Sequence, residues 1–177
     1  YKIWYINASV RGGNQNGSSP ANAAPNTYRI RSRPIKPGDI VVIGPGTYAN
    51  SYYGGLRLDN RRINGTAQKP IRFIADSTNS YFRYGRPGPV ILKQPRNSRH
   101  GTAAVMINYS SHVHLEGFTI RSDEPPYPGK SMGMRLGPGT GYVVKNCRFE
   151  NMNGVYRGGV GLYPNRCNVR ITNCKFI

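Results

Sequence analysis

Arg135, Lys145, Arg148, Arg170 and Lys175 carry the chemistry most easily read from this sequence. A guanidinium presents planar, paired donors that match a carboxylate or sulfate two bonds at a time, and lysine adds a compact point charge. Gathered on one face, these five cations would form a groove for an acidic polymer. The rest of the chain has the same bias, with 25 Lys and Arg against 7 Asp and Glu, a net charge of +18 and a pI near 10.3. Such a surface attracts acidic polysaccharide, nucleic acid or anionic headgroups, and it says nothing about fold. No basic run exceeds two residues, which argues against a nuclear-type tail or a calmodulin-type helix. The thirteen tyrosines read first as sugar-stacking platforms, because no nucleic-acid-binding motif accompanies them.

Fewer residues offer catalysis. Asp123 and Glu124 are the only adjacent acids, and they sit in the Pro-rich stretch "SDEPPYPG". His112 and His114 could supply half of a metal site, but no third ligand is in view, and both are expected as exposed surface histidines. "GPGTG" at 137–141 lacks the GK[ST] ending of a phosphate loop. Cys147, Cys167 and Cys174 form neither a CxxC pair nor a Cys/His zinc spacing. No complete catalytic set is identifiable, and neither a metal nor a cofactor is expected.

These side chains lie in a repeat. Aligning "HVHLEGFTI", "YVVKNCRFE" and "NVRITNCKF" puts Gly117, Asn146 and Asn173 in one column, 29 and 27 residues apart, the spacing of a solenoid. Leu115, Val144 and Ile171 then align, as do Phe118, Cys147 and Cys174, and Ile120, Phe149 and Phe176. Charged or polar residues separate these apolar columns, so each copy alternates in and out as a strand does and bends at the Gly/Asn column. A second strand precedes each copy, with Ile107, Leu136 and Leu162 expected in register. Upstream, "GDIVVIG", "GGLRLDN", "PIRFIAD" and "PVILKQ" read as further short strands bounded by turn residues.

Stacked parallel coils explain the repeat. Asn tolerates a left-handed corner, and its amide can bond up the column, so Asn146 and Asn173 form a structural ladder. A buried ladder predicts that Asn146→Leu destabilises the chain far more than Asn151→Leu. Cys147 and Cys174 stack beside it as small apolar groups. Glu116 should pair with Lys145, and Arg121 with Glu150, across strands.

The fold class is therefore all-β, one domain divided into an N-terminal leader and cap segment (1–38) and coils (39–177). No apolar run approaches the roughly 18 residues of a membrane span. Starting at Tyr1 suggests a removed signal peptide or an excised fragment. Ending at Ile177, within a rung, suggests either more chain or a neighbouring subunit supplying the next coil. Asn7, Asn16, Asn64 and Asn108 head glycosylation triplets that suit a secreted surface and also arise by chance in so Asn-rich a chain.

The order "KPGDIVVIGPGTY", "INGTAQKPIRFIAD", "PVIL", "SSHVHLEGFTIR" resembles the N-terminal coils of right-handed parallel β-helix proteins of the pectate-lyase-like superfamily, over nearly the whole chain. Two features depart from the pattern. The usual capping helix is replaced by the Pro-interrupted "ANAAPNTYRIRSRPI", so the caps are incomplete, and the leader loop offers Asn14 and Asn16 where an acid is common. The resemblance implies secretion, uronate-containing polysaccharide as partner and, in many members, β-elimination assisted by Ca²⁺ held by clustered acids. Acidic-polysaccharide binding is the function expected here. The alternatives are a structural subunit stacking end to end into a filament, and the N-terminal part of a lyase.

Overall fold

The computed structural model describes residues 1–49, 54–58, 63–83, 85–94, 103–122, 132–152 and 160–177. Sixteen short strands make up almost all the regular structure among them. These strands stack in three parallel sheets. The first sheet has seven strands: β1 (Ile3–Ile6), β2 (Ile40–Ile43), β5 (Ile71–Ala75), β9 (Val113–Glu116), β12 (Gly139–Lys145) and β15 (Cys167–Thr172) in order, with β8 (Ser110–Ser111) also pairing with β12. The second stacks β3 (Gly46–Tyr48), β6 (Val90–Lys93), β10 (Thr119–Arg121), β13 (Arg148–Glu150) and β16 (Lys175–Phe176). The third stacks β4 (Leu56–Leu58), β7 (Val105–Ile107), β11 (Met132–Leu136) and β14 (Val160–Pro164). Each sheet gains one rung per coil, which makes this a parallel β-helix, and the crossovers of such parallel strands are right-handed.

The period-2 alternation seen in the sequence becomes ladders inside the helix. Trp4, Val41, Phe73, Leu115, Val144 and Ile171 stand in register up the first sheet. Tyr48, Leu92, Ile120, Phe149 and Phe176 do so up the second. The continuous apolar run of β2 has a separate cause. Its second face is covered as well, because Val42 packs with Val10 and Ala23 of the leader and with Phe82, as strands buried on both faces require. Tyr5 meets Phe82 edge-on at 5.7 Å there. The leader is thus part of the solenoid, with β1 its first rung and the 3-10 helix Thr27–Ser32 placing Ile30 in the main core.

One expected register shifts, and one expected ladder is absent. Leu162 pairs with Met134, and it is Pro164 that faces Leu136 and so continues the Ile107 column. The slip is two residues, so the same side chains still point inward. It sets Gly133 against Gly161, where Met152 and Phe176 occupy the space a Cβ would need. The Asn column is in register, and Gly117, Asn146 and Asn173 all have positive φ (82°, 54° and 51°). Both asparagine side chains are exposed, however, and no hydrogen bond joins them. The corner is therefore set by backbone conformation, with the Asn146 N–H donating to the Thr172 carbonyl at 3.0 Å, and no buried amide ladder exists. Asn151 has the same left-handed backbone (φ 56°). The expected outcome changes accordingly: valine at either position costs about 1–2 kcal/mol, while glycine at Asn146 is tolerated. Thermal melts of the three variants check it.

Candidate functional site

The outward halves of the same strands carry the charge. On the first sheet, register puts Arg72, His114, Val143 and Arg170 in one outward column and Glu116, Lys145 and Thr172 in the next. Past the Asn corner, the second sheet presents Thr119, Arg148 and Lys175, then Arg121 and Glu150. Both acids are bridged twice. Glu116 takes Arg72 at 3.2 Å and Lys145 at 3.3 Å. Glu150 takes Arg121 at 2.7 Å and also Arg148.

These contacts set the proton affinities. Partial burial would raise the Glu116 carboxyl, but the Arg72 and Lys145 bonds prevail and hold it below the usual range. Bonds from Arg121, opposed by partial burial and aided by Arg148, hold Glu150 below it as well. The expected Glu116–Lys145 and Arg121–Glu150 pairs are present; Arg72 joins from the strand on the other side of Glu116, and Arg148 from two residues before Glu150 on the same strand. Exposed pairs of this kind contribute ~0–1 kcal/mol each. Their larger consequence is that neither acid offsets the remaining cations, Arg170 and Lys175, which are exposed and make no ion pair among the described residues.

The five cations of the sequence reading do not form one groove. Lys145 and Arg170 share the first sheet, and Arg148 and Lys175 stack on the second, one short corner away. Arg135 stands apart on the third sheet, in an outward column with Arg57, Met106 and Tyr163. Its Nε is buried without a hydrogen-bond partner among the described residues. The separation arises because β11 precedes the repeat's first sheet by a turn of its own, which puts the strand on another side of the coil.

The remaining chemistry is limited. Burial pushes the Cys147 thiol up to about 12, and its Sγ lies 3.4 Å from the Lys145 carbonyl, so it behaves as a core residue. Cys174 is half-buried with its Sγ 3.6 Å from the Val144 carbonyl, and all three cysteines are free thiols. His112 is outside β9, with a left-handed backbone (φ 50°), and is half-buried against Gly141 rather than exposed. His114, also half-buried, titrates lower than usual because of burial and of Arg72 and His112 nearby. Among the described residues, no group of acids fits the Ca²⁺ site that the resemblance implies. Glu116 and Glu150 sit on different sheets with their oxygens committed to cations, and Asp123 and Glu124 lie outside the described residues. Among the described residues no helix is long and apolar enough to cross a membrane.

No family model and no curated protein matches the sequence. Solved structures do match the fold. A GH136 lacto-N-biosidase from Eubacterium ramulus, as its selenomethionine derivative, is 14% identical with a TM-score of 0.55, over 99% of this chain and 34% of that one. A rhamnogalacturonan lyase is 16% identical with a TM-score of 0.52, over 98% of this chain and 56% of that one. The chain therefore spans about a third to just over half of the proteins it resembles, and what it shares with them is the β-helix fold.

Proposed function

We propose that this chain is a secreted β-helix of the pectate-lyase-like type that binds acidic extracellular polysaccharide along its lateral surface. The observation that carries the reading is the outward columns of the first two sheets, where both acids are bridged by two cations each while Arg170 and Lys175 stay exposed. Rungs about 4.8 Å apart repeat these charges along the helix axis, the arrangement a linear polyanion meets most fully. Similarity in fold to a lacto-N-biosidase and a rhamnogalacturonan lyase supports carbohydrate as the ligand class.

The test is affinity for polygalacturonate. Removing Arg170 and Lys175 together should weaken binding about tenfold, since each exposed contact contributes ~0.5–1 kcal/mol. Glu150→Gln should tighten binding, because Arg121 and Arg148 are then released to the polymer. Unchanged affinity in both variants contradicts the proposal.

A further inference from the structure

The leader crosses β2 and leaves a cleft of about 580 Å³ beside it. That size is within the ~300–1,000 Å³ of small-ligand sites. Its walls come from three segments distant in sequence. Asn7, Val10 and Arg11 belong to the leader, Pro45 to the link between β2 and β3, and Asn79 and Arg86 to the excursion between β5 and β6.

The cleft is built rather than incidental. Buried Asn7 accepts the Ser9 N–H at 2.9 Å, which fixes the leader's turn. Its Nδ2 rests on Gly44, where a Cβ would come within 2.8 Å, so this contact needs glycine. The opposite wall is folded around Asp76, whose buried carboxylate accepts the Ser80 N–H and the Tyr81 N–H, each at 2.8 Å. Those bonds turn the acid away from the cleft, and no acidic side chain lines it among the described residues. Arg11 donates one Nη1–H to the Ala8 carbonyl at 3.0 Å, which holds its guanidinium in place and leaves its other donors exposed, as Arg86 is.

We infer that this cleft binds one or two uronate units of an acidic sugar chain. Arg11 and Arg86 take the carboxylates, Asn7 and Asn79 the hydroxyls, and Val10 and Pro45 face the C–H side of the ring. The inference rests on the proposed function only for the class of sugar. The site itself is on a different part of the molecule from Arg170 and Lys175.

Digalacturonate is the probe, with the neutral galactose disaccharide beside it, titrated by calorimetry into the full chain. Digalacturonate should saturate one site and the neutral dimer should not. Arg11→Ala and Arg86→Ala should each weaken binding about tenfold with melting temperature unchanged, and lysine at either position should retain part of the affinity. The Arg170→Ala/Lys175→Ala variant should bind digalacturonate as the parent does, whatever happens to its affinity for long polymer, so failure of the lateral surface and failure of the cleft give different patterns. Equal binding of the neutral dimer, digalacturonate affinity unaffected by loss of both cleft arginines, or no saturable binding overturns the inference.

Discussion

Phe149→Ala should lower stability by about 3–5 kcal/mol, the range for emptying a fully buried aromatic position. Phe149 is 0% exposed and stacks on Phe176 with ring centroids 4.6 Å apart and planes 6° from parallel. It also continues the ladder from Ile120, so its loss leaves a void between rungs rather than at a surface. Each coil of a solenoid contacts only its neighbours, and the damage should concentrate locally. Hydrogen exchange should quicken in β13 to β16 while β2 and β5 keep their protection. Phe176→Ala, at a 57% exposed rung, should cost about 1 kcal/mol by comparison. Similar losses in the two variants would mean that the inward ladder is not the source of the stability.

Asp39→Ala should detach the leader at a cost of about 3 kcal/mol, the scale of stranding buried donors. The Asp39 carboxylate is 4% exposed and accepts the Lys2 N–H at 2.8 Å, the Lys36 N–H at 3.0 Å and the Trp4 Nε1–H at 3.2 Å. One side chain therefore ties β1, the approach to β2 and the first ring of the core together. Burial alone would raise its proton affinity, but the Lys36, Lys2 and Trp4 bonds prevail, and the carboxyl titrates below its ordinary 3.8. The stabilisation is complete above that ordinary value and is lost as pH falls through the lower folded one. Melting curves against pH should show the parent dropping towards Asp39→Asn in acid, with the variant the flatter of the two. Parallel curves would assign the acid sensitivity to other groups.

What was legible in the sequence was what repeats. The columns headed by Leu115, Phe118 and Ile120 are ladders because a 27- to 29-residue period leaves little choice of register. The same regularity gave Glu116 beside Lys145 and Arg121 beside Glu150. Alternation alone cannot separate registers that keep the same face inward, so the two-residue shift at Leu162 and the Gly133–Gly161 contact that goes with it appear only in three dimensions. Sequence neighbours make Asn146 look buried, but a residue at the corner points out between inward Val144 and Cys147. Arg135 is close to Arg148 in sequence yet on another sheet, because sequence proximity hides which of three sheets a strand joins. Arg11 and Arg86 gave no signal, since their cleft joins the leader to a nonrepeating excursion and no period connects the two.

A salt series on the unmodified chain decides whether a polyanion binds the lateral cationic surface. Polygalacturonate and a neutral glucan of equal length would be compared by affinity at rising ionic strength. Exposed charges are screened over about 10 Å at 0.1 M salt and about 3 Å at 1 M. Polygalacturonate should bind in dilute buffer and be released steeply as salt rises, while the neutral glucan stays unbound throughout. Equal affinity for both polymers, or polygalacturonate binding indifferent to salt, would contradict the account.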